Sequence, residues 1–158
     1  MIDNEKKINY READLGDLPE LLRFEQEIIK AERPYDATLK EDPISYYDLA
    51  NLLQSDQALV LLAECDDGLI ASGFARIESS KPYLTHRQHG YLGFMFVAER
   101  YRGKGINKQI IQRLAAWLKS KHVYEMSLDV YSDNEAAVRA YQKAGFKKNL
   151  IEMRMEIK

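Results

Sequence analysis

The sequence predicts a three-layer α/β/α domain of the α+β class, with helices on both faces of a mixed sheet. Three observations carry this reading. The tripeptide Asp66-Asp67-Gly68 joins two apolar runs and signals a β-hairpin. A glycine turn, Arg102-Gly103-Lys104-Gly105, then separates an apolar run, Tyr91–Val97, from a helical pattern. Another strand and another helix follow before the C-terminal run. Hairpins early and strand–helix alternation late require antiparallel and parallel pairings in one sheet.

Lys7–Arg11 reads as the first strand. Asp14 is placed as a helix cap, with Asp17 in the first turn. The helix that follows carries Leu18, Leu21, Leu22, Ile28 and Ile29 on one face. Glu25 falls near the middle of that face, where a carboxylate either borders a cleft or snorkels from the core rim. Ala31–Asp42 is charged, contains Pro34 and reads as a loop. Asp42-Pro43 opens a second helix, Ile44 to Gln54, burying Ile44, Tyr47 and Leu52 or Leu53. Strands Ala58–Glu64 and Leu69–Glu78 flank the hairpin turn. Gly73, inside the second of them, signals a bulge or a close backbone approach.

Ser79–Gln88 is a polar connection. Tyr91–Val97 is almost wholly apolar, so it belongs in the sheet centre with both faces covered. The next helix, Ile106 to His122, places Ile106, Ile110, Leu114, Trp117 and Leu118 on one side. Glu125–Tyr131 alternates apolar and polar residues as a half-exposed strand. Ser132-Asp133-Asn134 caps a helix that stops at Ala144, followed by the terminating Gly145. Phe146–Ile157 supplies one or two last strands. The expected total is six to seven strands and about four helices.

Size and composition limit the function. The 158 residues fit a single domain, 1–158, and the 46% hydrophobic and 30% charged content is that of a globular protein. A net charge of −2 gives no general attraction to nucleic acid or an anionic membrane. No apolar stretch is long enough for a membrane span. Met1 to Lys7 lacks the apolar core of a signal peptide, and a cytoplasmic location fits. The single cysteine, Cys65, excludes an internal disulfide and a cysteine metal cluster, and no metal is expected.

The glycine turn carries the chemistry. A helix start holds partial positive charge and unpaired backbone N–H groups, so acidic residues are favoured there. Here Arg100, Arg102, Lys104 and Lys108 surround it instead. Each basic residue opposes the helix dipole by roughly 0.3–1 kcal/mol. An anion seated in the turn reverses that cost, most plausibly a phosphate held by backbone N–H groups. A solvated basic loop is the plainer alternative. A mononucleotide loop is a poor match, because one residue separates the glycines and no Lys-Ser/Thr follows. A dinucleotide fingerprint also fails, since Lys108 stands at its third glycine.

The pattern Arg100-x-x-Gly103-x-Gly105 resembles the acyl-CoA-binding signature of the GNAT superfamily of N-acetyltransferases. Asn134-x-x-Ala137-x-x-x-Tyr141-x-Lys-x-Gly145-Phe146 is similar to that superfamily's second block, in the same order and at a similar distance. The resemblance is strong from Tyr91 to Phe146 and only architectural before it. It implies a mostly antiparallel twisted sheet and acetyl-CoA as acetyl donor. It further implies that the backbone of Met95, Phe96 and Val97 pairs with the pantetheine arm. The N–H groups of Arg102, Gly103, Lys104, Gly105, Ile106, Asn107 and Lys108 would cradle the pyrophosphate. Asn134 would contact the pantetheine or nucleotide, with Ala137 on the same helical stripe, and Tyr141 would stand near the thioester sulfur.

The implied reaction is direct attack of a primary amine on the acetyl carbonyl. It requires a base, an N–H donor for the oxyanion near Phe96–Val97, and an acid for the leaving thiolate, assigned to Tyr141. Two positions depart from the family pattern. Asn107 replaces a frequent small residue, and Gly93-Phe94-Met95-Phe96 lacks the carboxylate that some members use as base. Glu25 is one candidate for that role; Glu32, Asp36, His89 and ordered water are others. Glu32, Tyr35 and Asp36, with Tyr46 and Tyr47, suit a cationic acceptor, either a small molecule or a protein amine. A homodimer is also expected as one form of assembly. The competing reading is a non-catalytic acyl-CoA-binding or regulatory module. Single-stranded nucleic-acid binding has only the basic turn behind it.

Overall fold

The computed structural model describes residues 6–158. The reading of the N-terminus up to residue 5 therefore lies outside the described residues. The strands are β1 (Asn9–Glu12), β2 (Ala58–Cys65), β3 (Gly68–Ser79), β4 (Gln88–Val97) and β5 (Met126–Ser127). The helices are α1 (Leu18–Glu32), α2 (Leu49–Gln54), α3 (Ile106–Ser120) and α4 (Glu135–Ala144). The strands lie in sequence order, antiparallel except for the parallel β4–β5 pair. Helices α1 and α2 cover one face through Phe24, Leu49, Phe74 and Phe94. Helix α3 covers the other through Ile106, Ile110, Leu114 and Leu118. Each fully buried Phe or Leu contributes roughly 1.5–3 kcal/mol, so the two apolar layers hold the sheet between them. The three-layer mixed architecture is therefore present.

The sheet has five strands among the described residues, not six to seven. The difference is at the C-terminus. Residues 146–158 form no strand, and Leu150, Ile151, Met153, Met155 and Ile157 are highly exposed. The fifth strand also pairs over two residues rather than along Glu125–Tyr131.

The second helix begins at Leu49, not Ile44, and Asp48 caps it by accepting from the Asn51 N–H. Its expected first turn is committed elsewhere: the N–H groups of Tyr46 and Tyr47 donate to the Glu25 carboxylate. On α1, Phe24 is fully buried while Leu22 is 45% exposed, so the apolar stripe is centred nearer Phe24 and Glu25 than the leucine spacing implied. Asp14 does cap a turn with Asp17, but that turn is a short 3₁₀ segment leading into α1. Gly145 ends α4 at φ +109°, in the left-handed conformation expected of it.

Candidate active site

The site begins with a defect in β4. Opposite β3 the register jumps from Ser72↔Phe96 to Phe74↔Gly93, so Phe94 and Met95 together face Gly73. Phe94 takes φ +58°, an uncommon conformation for a bulky residue and a local strain. Gly73 has no room for a side chain: an added Cβ would sit 2.7 Å from Met95 Sδ and 2.8 Å from Ile110 Cγ2. The bulge that Gly73 signalled is real, and it lies in the partner strand.

Both backbone polar groups of Phe94 are held by side chains. Its N–H donates to the Tyr47 hydroxyl at 3.2 Å, and its carbonyl accepts from the buried Ser72 hydroxyl at 2.9 Å. Tyr47 is placed in turn by Glu25, whose Oε2 accepts from the Tyr46 and Tyr47 N–H groups at 3.1 and 2.9 Å. Glu25 is fully buried and does not line the cavity described next.

Beyond the bulge β4 and β5 part company. They pair only at Gly90↔Met126 and Tyr91↔Ser127. A cavity of about 210 Å³ opens where they diverge, between Met95, Phe96 and Val97 on one side and Asp129, Val130 and Tyr131 on the other. Helix α1 supplies Glu27, Ile28, Ala31 and Glu32; α4 and its cap supply Asn134, Ala137 and Tyr141; Arg102 closes one end. The structure thus gathers Met95, Phe96, Val97, Arg102, Asn134, Ala137, Tyr141 and Glu32 around one space.

The glycine turn meets this space at Arg102; Gly103, Lys104, Gly105, Ile106, Asn107 and Lys108 do not line it. Gly103 and Gly105 take φ +75° and +78°, and an added Cβ would meet nothing within 4 Å at either. Glycine is needed there for conformation, not for room. Helix α3 starts with no side-chain cap and no acidic residue in its first turn, so its leading N–H groups are available to an anion. Arg102 Nε donates to the Val97 carbonyl at 3.0 Å and pins the turn to the end of β4. Lys104 lies over the Tyr101 ring at 5.6 Å. Lys108 is exposed and Asn107 half-buried, while Ile106 packs into the core. Arg100 instead reaches Asp67 at 3.4 Å, so it does not join the cradle.

Titration follows burial. Desolvation pushes the Tyr141 hydroxyl up to about 12, with Glu32 and then Tyr47 adding to the rise. Tyr141 also meets Phe146 edge-on at 5.9 Å. Burial raises Glu32 above the usual carboxylate range, and the Tyr46 hydroxyl moderates that rise. Asp36 goes the other way: the Thr38 hydroxyl and N–H, then Arg154, hold it near 2, and it does not line the cavity. His89 is held by Ser80 and Glu78 at the far end of the β3–β4 hairpin. Tyr35 stacks on Tyr131 at 6.0 Å. Asp129, which the sequence reading passed over, accepts from the Tyr91 hydroxyl at 3.1 Å. Its only sequence signal was its place at the polar end of a half-apolar strand.

Among the described residues no His, Cys, Asp and Glu group could hold a metal ion, and no helix is long and apolar enough to cross a membrane. A glycine turn leading into an uncapped helix, a split between two parallel strands and a half-buried tyrosine together form a site with room for an anionic, extended ligand. Residues 21–146 match the model of the acetyltransferase (GNAT) family, and the chain belongs to that family.

The spermine/spermidine N(1)-acetyltransferase of Bacillus subtilis is 36% identical over 83 residues, 49% of this chain and 53% of that protein. The chain thus spans about half the length of that curated relative. An N-alpha-acetyltransferase of Sulfurisphaera tokodaii is 27% identical over 149 residues, covering 90% of this chain and 81% of that one. In fold, a predicted acetyltransferase from Clostridium acetobutylicum, crystallised with acetyl-CoA, superposes with a TM-score of 0.74 at 20% identity, covering 95% of this chain and 96% of the other.

Proposed function

We propose that this chain, as one acetyltransferase domain over 1–158, transfers the acetyl group of acetyl-CoA to a primary amine by direct attack. One observation carries the reading: Arg102 at the head of the glycine turn, the unpaired end of β4, Glu32 and Tyr141 all line the same cavity. Acetyl-CoA fits these residues. The α3 start and the left-handed glycines would hold the pyrophosphate, and Met95–Val97, free of a β5 partner, would hold the pantetheine arm. Asn134 keeps its Oδ1 on the Ala137 N–H at 3.3 Å, which leaves its amide group for the same arm.

The chemistry then divides among this chain's own groups. Glu32 is the base. It lines the cavity, and its raised affinity for a proton brings it nearer the pKa of an ammonium at ~10 than an ordinary carboxylate would be. Backbone N–H groups at Phe96–Val97 receive the developing oxyanion. The Tyr141 hydroxyl is a weaker acid than a thiol at ~8.5, so it acts by donating a hydrogen bond to the departing sulfur. Glu25 has a positioning role, acting through Tyr47 on the β4 bulge. The acceptor is a cationic amine: Glu27, Glu32 and Asp129 line the cavity, and among the described residues its one cation is Arg102, at the head of the glycine turn. Polyamines come first among such acceptors, in keeping with the spermine/spermidine relative.

Thiol release from acetyl-CoA over a panel of polyamines, aminoglycosides, amino acids and peptide N-termini tests this reading. Turnover is expected with a polyamine. The lack of a carboxylate on β4 is the observation that favours a non-catalytic acyl-CoA-binding module; saturable binding of acetyl-CoA without release from any amine would establish that module instead.

A further inference from the structure

Among the described residues two buried side-chain oxygens have no hydrogen-bond partner, Glu25 Oε1 and the Tyr46 hydroxyl. Tyr46 spans the distance between two carboxylates. Its backbone N–H is fixed on Glu25 Oε2 at 3.1 Å, while its hydroxyl lies close enough to Glu32 to hold down the rise of that carboxyl. Glu25 and Glu32 are seven residues apart on α1, two helical turns or about 10 Å. The Tyr46 side chain therefore runs along α1 from the buried anchor to the cavity carboxylate, and its ring meets Tyr47 edge-on at 5.8 Å. Tyr46 does not line the cavity, so it meets the reacting groups through Glu32.

We propose that Tyr46 is the positioning residue of the base: its hydroxyl donates to the ionised Glu32 carboxylate, orients that group toward the cavity and keeps it charged until the amine arrives. The inference rests on the assignment of Glu32 as base. Burial alone favours the neutral acid, which cannot take up a proton, and a hydrogen bond to the charged form opposes that. Besides Tyr46, the groups facing Glu32 come from every wall: Glu27 on its own helix, Tyr47 on the loop before α2, Asp129 and Tyr131 beyond β5, Tyr141 on α4, and Arg102 at the head of the glycine turn. Tyr46 is the one that draws Glu32 back toward the ionised form. Tyr46 keeps its own proton throughout, because burial and then Glu32 push its hydroxyl above the ordinary phenol range. The proton that moves is the one leaving the ammonium nitrogen for the Glu32 carboxylate.

Tyr46→Phe keeps the ring and the N–H on Glu25 and removes an oxygen that has no partner among the described residues, so its melt should not fall. Carbon-13 carboxyl NMR of the protein without substrate follows Glu32, whose resonance is identified by its loss in Glu32→Gln. The Glu32 midpoint is expected to be higher in Tyr46→Phe than in the native protein. Steady-state kinetics with acetyl-CoA and spermidine should show the rise of kcat moving to higher pH in step with it. Below the midpoint kcat should drop about tenfold, the worth of a hydrogen bond to a charged group, with KM unchanged and the high-pH rate retained. An unmoved Glu32 midpoint overturns the proposal. A raised KM with neither midpoint moved overturns it too, by placing Tyr46 against the acceptor. A Glu32 midpoint that moves beside an unmoved kcat profile upholds the contact and instead overturns Glu32 as the base.

Discussion

The Tyr47 hydroxyl accepts the backbone N–H of Phe94 at 3.2 Å, forty-seven positions along the chain. That contact fastens the loop before α2 to the bulge that turns the end of β4 away from β5. Phe94 sits at φ +58°, so its conformation persists only because Tyr47 and Ser72 satisfy the amide and carbonyl it would otherwise leave unpaired.

Tyr47→Phe keeps the aromatic packing against Phe74 and Phe94 but removes the acceptor. Leaving a buried N–H unsatisfied costs about 1–3 kcal/mol. Thermal or denaturant unfolding should show a loss in that range, and acetyl-CoA affinity should fall as the strand end relaxes.

Glu25 separates a positioning role from a chemical one. Gln at this position still offers a carbonyl oxygen to the Tyr46 and Tyr47 N–H groups, whereas Ala offers none. Glu25→Gln is therefore expected to retain most turnover and stability, and Glu25→Ala to lose about 1–3 kcal/mol. Abolished turnover in a stable Glu25→Gln protein would make Glu25 the base.

Glu32 gives a pH signature with a defined sign. Its folded pKa is raised, so the native state holds the proton more tightly than the unfolded chain does. Between the unfolded value near ~4.3 and the raised folded value, stability should fall as pH rises. The contribution is complete below that window and lost above it. Glu32→Gln should flatten this part of the stability profile. Its turnover should fall by a factor of about 10²–10⁴, in the range of general-base catalysis. The native protein's rate should climb with pH through the same raised value.

Tyr141→Phe removes the hydroxyl and keeps the ring against Phe146. Turnover is expected to drop about tenfold or more, with acetyl-CoA affinity little changed. Steady-state kinetics with unchanged kcat would remove Tyr141 from the reaction.

Gly105→Ala tests the cradle. The new methyl group meets nothing, so the effect is conformational: about 1–2 kcal/mol for a left-handed alanine. If the turn instead moves to relieve the strain, acetyl-CoA binding should weaken. For the native protein, acetyl-CoA at about 100 times its dissociation constant should stabilise the fold by ~2.7 kcal/mol, and the variant should need more ligand for the same shift.

The sequence alone determined the elements whose causes are local. The hairpin at Gly68, the left-handed turn at Gly103 and Gly105, the Asn134 cap and the stop at Gly145 each depend on neighbouring backbone, so residue type and spacing reveal them. The helix period likewise found the α3 face that covers the sheet. Tertiary structure decided what depends on distant partners. Helix spacing left Glu25 either bordering a cleft or snorkelling from the core rim; the N–H groups of Tyr46 and Tyr47 reach it from across a loop and make it a buried anchor. Glu32 rose above the other candidate bases because the walls of the cavity desolvate it, while Arg154, from the far end of the chain, took Asp36. Phe146–Ile157 also reads as one or two last strands, but a strand exists only where its backbone finds a partner, and among the described residues that run pairs with none.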